Sequence, residues 1–310
     1  MIALFLALSL LVLSGCTLSE DDGKTLVVAS FYPVYIFTMN LLDGVPDVEL
    51  ECMAEQNIGC LHDYRLLAKD ARLLADADIF VINGAGMESF LEDVYKNTEN
   101  LAVADSSVRI ELLYEEDEHE HEEEHEEEHE ERHEGHGHNH GANSHIWMSV
   151  DNAIIQVKNI SEVLCKEMPE NASRISVNCD MYISRLQMLK ADLLKESFSL
   201  RNMPIITFHE AYDYMARDLS LNTVCSIESD EGGEPSAREL AGLVETINEL
   251  NIKVLFTEPD YKGSAADILS FETGAGIFVL NPVTRGEKTL TAYEDIMRDN
   301  ISIMRKAVRE

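Results

Sequence analysis

The segment Glu115–Gly141 cannot belong to a packed core, so it divides whatever this chain folds into. It carries eight of the eleven histidines, fourteen acidic residues and a single arginine. With almost no apolar surface to bury, it has the composition of a solvated, metal-attracting segment. Its acids repel one another, and the expectation without metal is disorder. His121, His125, His129 and His133 recur at every fourth residue, so a helix would stack them on one face where neighbouring pairs could share an ion. Together with His119, His136, His138 and His140 they form a candidate weak, secondary metal tract.

Three of these repeats, His121–His125, His125–His129 and His129–His133, match the pattern H-E-x-x-H, in which a zincin helix presents two ligands and a general base. Overlapping matches are what repetition produces, and no apolar face is present to dock such a helix against a closed pocket. No nucleophile triad order, phosphate loop or dinucleotide turn stands out either. The reading is that the chain is not an enzyme.

The formal charge of −34 excludes another class. The acidic tract supplies −13 of it, and the remaining −21 still repels nucleic acid and attracts cations. At 310 residues with 45% hydrophobic content, the chain has material for one large or two medium domains.

The N-terminus runs Met1 to Leu13 with hardly a polar residue, then reads Ser14-Gly15-Cys16. That apolar run has the length of a signal-peptide core and is short for a bilayer span. Its ending resembles a prokaryotic lipobox, although no Lys or Arg precedes it. The expectation is a signal peptide over 1–15, a lipidated Cys16, a polar tether over 16–24, and an extracytoplasmic protein anchored to the cell membrane. Five cysteines follow Cys16; Cys52 with Cys60 and Cys165 with Cys179 are the nearest pairs, with small buried thiols as the equal alternative.

Short apolar runs alternate with helical spacing on both sides of the tract. Strands are expected at Leu26–Ser30, Asp47–Cys52 and Asp78–Asn83, with helices at Tyr64–Leu74, Glu88–Tyr95 and Val150–Met168. A second series follows with strands at Pro204–Phe208, Thr223–Ile227, Lys253–Thr257 and Gly276–Leu280. Its helices fall at Ala211–Asp218, Ser236–Leu250, Ala265–Phe271 and from Leu290 onward. Such alternation implies βα units around parallel sheets. Between the two series, Asn171 to about Leu200 keeps apolar residues at three-to-four spacing (Ile175, Met181, Tyr182, Leu186, Leu189, Leu193, Leu194). The expected fold is therefore α/β in two lobes, each a parallel sheet flanked by helices, joined by one long rigid helix. The lobes are placed at 25–168 and 203–310, and the linking helix at 169–202. No strong internal sequence repeat accompanies them.

Three histidines stand apart from the tract, His62, His145 and His209, each at the edge of an expected element. Ligands of open α/β sheets lie outside the carboxyl ends of strands, and His209 ends a strand. Imidazole suits Zn, Cu, Ni and Fe, so these three are the candidate metal ligands.

Seven short stretches stand out together: Ala29-Ser-Phe-Tyr-Pro-Val34, His62 ahead of Tyr64, Ile82-Asn-Gly-Ala-Gly-Met-Glu88 and His145-Ile-Trp147, then Phe208-His-Glu-Ala-Tyr-Asp-Tyr214, Gly233-Glu-Pro-Ser236 and Phe256-Thr-Glu-Pro259. Through them the chain resembles the receptor lipoproteins of zinc and manganese ABC importers over almost all of its mature length. A His-rich insertion just before the second site histidine is similar to that of the zinc-specific members. The resemblance implies Zn²⁺ held by His62 and His145 from the first lobe and His209 from the second, with Mn²⁺ as the alternative ion. The family often places an acid at the last strand, but this chain reads Leu280-Asn281 there, which leaves Glu258, Glu287 or water for the fourth position. The resemblance further implies a monomer that delivers the ion to an ABC permease and its ATPase. A surface adhesin or a metal-buffering lipoprotein without transport is the other reading.

Overall fold

In the computed structural model, residues 23–54, 64–114, 141–227, 235–259, 261 and 263–309 are described. Several expectations therefore lie outside the described residues: the signal peptide, Cys16 and most of the tether, His62 and Cys60, and the His/Glu-rich tract through His140. No helix among the described residues is long and apolar enough to cross a membrane.

The first series builds a four-stranded sheet from β1 (Thr25–Ala29), β2 (Val48–Cys52), β3 (Ile79–Ile82) and β4 (Ala102–Asp105). All its pairings are parallel, in the order β2-β1-β3-β4. β3 reads Ile-Phe-Val-Ile and is buried at every position, as a central parallel strand covered on both faces must be. The second sheet repeats the plan with β5 (Pro204–Thr207), β6 (Asn222–Ser226), β7 (Val254–Thr257) and β8 (Gly276–Val279), in the order β6-β5-β7-β8. The lobes thus share a topology that left no trace as a sequence repeat, because burial constrains only the apolar pattern and not the residues.

Two elements were not foreseen. α1 (Tyr32–Leu41) begins with a proline in its first turn and buries nine of its ten residues. A helix apolar all round has no amphipathic period to detect. The edge strand β4 reads Ala-Val-Ala-Asp and is only partly covered, too short and mild to register. α2 (Ala68–Asp76) starts later than expected, and α3 (Glu92–Lys96) is preceded by a 3₁₀ turn at Ser89–Leu91.

α4 (Val150–Glu167) opens with Ser149 as its cap, whose Oγ accepts from the Asn152 N–H. α5 (Ala172–Glu196) is the long helix, about 37 Å over its 25 residues. Its buried stripe is Ile175, Cys179, Tyr182, Leu186, Leu189 and Leu193. Met181, expected within that stripe, lies one position off it and is 64% exposed. The last residues, Ser197–Leu200, tighten into a 3₁₀ turn.

α5 packs against α4 and α1 of the first lobe and against α9 (Ala292–Ala307) near the C-terminus. The main apolar core runs without a break from Val27 and Phe80 through Trp147 and Leu186 to Tyr212, Leu280 and Tyr293. A second, smaller core fills the space between the second sheet and the helices α7 (Ala237–Glu249) and α8 (Ala265–Thr273). α6 (Asp213–Leu219) completes the second lobe beside the turn that carries Trp147.

The described cysteines are all free thiols. Cys165 on α4 meets Ala172 O at 3.6 Å and Ser176 Oγ at 3.7 Å, one turn before Cys179 on the facing helix, so of the two alternatives for this pair the free thiols hold. Burial pushes the Cys179 thiol up.

Candidate metal centre

β5 and β7 are adjacent parallel strands, with Thr207 opposite Phe256 and the Phe208 N–H donating to Phe256 O at 2.9 Å. The residues that leave their carboxyl ends therefore emerge side by side: His209 after β5 and Glu258 after β7. This is the point where the chain connections of the sheet diverge, the usual ligand crevice of an open α/β sheet. His209 Nδ1 and Glu258 Oε1 are 2.6 Å apart, and both side chains are largely shielded from solvent.

His145 arrives from the other lobe. It precedes the 3₁₀ turn Ile146–Met148, is fully buried, and places its ring 4.5 Å from the His209 ring in an edge-on contact. Trp147 packs on the same ring at 5.1 Å. His145 Nδ1 lies 3.0 Å from Asn143 Oδ1 and 3.4 Å from Glu210 Oε1. Both histidines thus have Nδ1 facing oxygen acceptors. In a neutral imidazole one nitrogen donates and the other accepts, so acceptors at Nδ1 favour the proton there and leave the Nε2 lone pair for a ligand. An oxygen on the distal N–H is also how ligating histidines are ordinarily oriented and made more basic.

Of the sequence candidates, His145, His209 and Glu258 are brought together and His62 lies outside the described residues. Glu287 is exposed; its main-chain carbonyl accepts from Tyr32 Oη at 2.6 Å. Among the described residues, no three His, Cys, Asp or Glu side chains already form a closed ligand set. Asn143 and Glu210 were not among the candidates. The signal was present, since each stands within two residues of a candidate histidine, but neither an amide nor one acid among so many draws notice by type.

Below the site, Tyr212 donates to Leu280 O at 2.8 Å, and burial, then the Glu258 charge, push its hydroxyl well above the ordinary tyrosine range. It therefore stays protonated as a fixed donor. The first lobe has a buried carboxylate at its equivalent crevice. Glu88 accepts from Ser30 Oγ and the Asn83 N–H, each at 2.7 Å, and from the Gly84 N–H at 3.0 Å. Burial outweighs these bonds and raises its pKa to about 7.

The sequence profile of the family described as "Zinc-uptake complex component A periplasmic" matches residues 27–307. The chain belongs to this family. Its members are solute-binding proteins and not enzymes. The high-affinity zinc uptake system protein ZnuA of Bacillus subtilis is 31% identical across 98% of this chain and 96% of its own. The zinc-binding protein AdcA of Streptococcus pyogenes is 31% identical over 92% of this chain, which spans only 56% of the AdcA length. Among solved structures, the metal-dependent lipoprotein YcdH of Bacillus subtilis is 27% identical with a TM-score of 0.72, covering 91% of this chain and 98% of its own. FpvC of Pseudomonas aeruginosa, bound to Ni²⁺, shares the fold at 23% identity with a TM-score of 0.75, over 92% and 97% of the two chains. The resemblance read from the sequence motifs and the α/β fold with its long helix are therefore correct.

Proposed function

We propose that this protein captures Zn²⁺ outside the cytoplasm and hands it to an ABC permease driven by its ATPase. The observation that carries the reading is the meeting of His145 and His209, one from each lobe, with ring centroids 4.5 Å apart and an oxygen acceptor on each Nδ1. Two imidazoles meeting in that way suit a tetrahedral, imidazole-rich site, which favours Zn²⁺ over the more carboxylate-loving Mn²⁺. His62, ahead of α2 in the sequence, is the proposed third ligand. Glu258, placed on His209 Nδ1, acts through that ring by orienting it, and water takes the fourth position. The His/Glu-rich tract gathers zinc weakly beside the site, and acyl chains on Cys16 hold the protein to the membrane. The names of the zinc uptake relatives support the ion and the transport role.

The test is a chelator-competition titration of the mature protein with Zn²⁺ and Mn²⁺. His62→Ala, His145→Ala and His209→Ala should each weaken one tight zinc equivalent by at least about tenfold, since nanomolar binding corresponds to roughly −12 kcal/mol and each imidazole supplies a large share. Parental affinity in all three variants would place the site elsewhere. Tighter Mn²⁺ than Zn²⁺ binding would replace the ion.

A further inference from the structure

Asn143 uses every hydrogen-bonding group it owns, and its side-chain amide links the segments that carry the two histidines. It is nearly fully buried, at 4% exposure. Its main-chain N–H donates to Leu113 O at 2.8 Å, and its carbonyl accepts from Tyr214 Oη at 2.8 Å. Its side-chain oxygen accepts from the His145 main-chain N–H at 2.9 Å and faces His145 Nδ1 at 3.0 Å. Its side-chain nitrogen donates to Glu210 O at 3.0 Å and to Asp213 Oδ2 at 3.3 Å.

One end of this amide therefore grips the His145 ring, and the other grips the residue that follows His209. The acceptor end keeps a proton on His145 Nδ1, because an unprotonated Nδ1 would set two lone pairs against each other in a buried place. The donor end fixes the distance between the turn carrying His145 and the strand end carrying His209. No other side chain of this size does both. An aspartate would keep the acceptor but lose both donations, and would face the Glu210 main-chain carbonyl and the Asp213 carboxylate. A leucine or alanine would lose everything.

We propose that Asn143 is a positioning residue for metal capture: it selects the Nδ1–H tautomer of His145, so that Nε2 faces the ion, and it holds the two lobes' histidines at ligating separation. This rests on the reading of His145 and His209 as ligands. It assigns to a neutral amide, remote from the ion, the pre-organisation of a site whose ligands come from two sheets.

The experiment uses the full chain with ¹⁵N-labelled histidine, and the His145 signals are assigned by their loss in His145→Ala. The metal-free ring spectrum reports the tautomer, and chelator competition reports Zn²⁺ affinity. The parent should show the Nδ1–H form. Asn143→Ala leaves at Nδ1 the longer Glu210 Oε1 contact of 3.4 Å, so it should mix the tautomers and weaken zinc about 10- to 100-fold, the usual size of an orienting contact to a ligating histidine. A parental tautomer or a parental affinity in that variant overturns the proposal. Where Asn143→Ala does not fold, Asn143→Asp decides. It should keep the Nδ1–H form through its retained acceptor and still bind zinc more weakly than the parent through its lost donors. Loss of the Nδ1–H form, or an unchanged affinity, refutes the corresponding half. Parental zinc affinity in both His145→Ala and His209→Ala is a separate failure, that of the site itself, and leaves the metal-free tautomer result standing.

Discussion

Trp147 donates its indole N–H to the carbonyl of Pro282 at 2.8 Å, tying the turn that carries His145 to the loop after β8. Tyr293 returns the favour by donating to Trp147 O, also at 2.8 Å. With Tyr32 on Glu287 O and Tyr214 on Asn143 O, these bonds run in both directions between the two α/β halves. Each donor is an aromatic side chain seated in the continuous core, so parting the halves would expose apolar surface and strand several carbonyls at once.

Release of the metal should therefore reorder side chains and loops locally and leave the halves together. Solution scattering of the protein with and without Zn²⁺ should give radii of gyration that cannot be told apart. A wide opening would show that the stitching yields. Trp147→Phe keeps the edge-on packing against Phe31, seen at 5.0 Å, but leaves Pro282 O without its donor. The expected cost is about 1–3 kcal/mol in denaturant unfolding.

A partly buried ion pair fastens the long helix at its middle. Arg185 Nε on α5 lies 3.0 Å from Glu294 Oε1 on α9, and its guanidinium also donates to Asn40 of α1 and to Leu290 O. Burial raises the Glu294 pKa, so this carboxylate depends on its partner. Arg185→Met should destabilise by roughly 1–3 kcal/mol, because it leaves the buried Glu294 carboxyl without its partner while Arg185 itself is a third exposed. The double variant Arg185→Met with Glu294→Leu should recover much of that loss in the same unfolding measurement. If the double variant is as unstable as the sum of the singles, the pair is not the reason.

Glu88 gives the fold a pH dependence of known sign. Its folded pKa, about 7, is above the ordinary value of 4.5, so below about 4.5 both states hold the proton and nothing is lost. As pH rises from 4.5 to about 7 the unfolded chain gives up its proton first, and stability falls; above 7 the loss is complete and constant. The full loss is on the order of 3 kcal/mol for a fully buried group. Glu88→Gln cannot titrate there. The stability of the parent minus that of the variant should decline between pH 5 and pH 7 and then level off. A flat difference would mean that the three donors hold the carboxylate ionised throughout.

What the sequence disclosed and what it hid follow one rule. Residues that end a buried strand announce themselves, because the apolar run before them sets their address; His209 and Glu258 are legible in that way. His145 is legible as a lone histidine outside the tract. Asn143 is not, since its importance lies in which atoms it faces across 67 and 70 residues of chain, at Glu210 and Asp213. α1 was hidden by being buried all round and β4 by being short. The long helix was plain because a stripe from Ile175 to Leu193 must be paid for by a packed partner along its whole length.

The His/Glu-rich tract enters and leaves the fold at one place. Tyr114 and Ala142 pair in an antiparallel bridge, and the Asn143 N–H donates to Leu113 O at 2.8 Å just beneath it. Because those ends are already adjacent, residues 115–141 can be replaced by a short Gly-Ser turn without stretching the backbone. The proposed tight site draws His145 and His209 from outside the tract and should survive. The tract's fourteen acids and eight histidines surround no apolar core that would fix a ligand set, so its binding should be weaker, roughly micromolar. Zinc titration by calorimetry should therefore show one tight and several weak equivalents in the parent, and the tight one alone in the deletion variant. Loss of the tight equivalent from a variant that still unfolds cooperatively would show that the tract supplies a ligand to the main site.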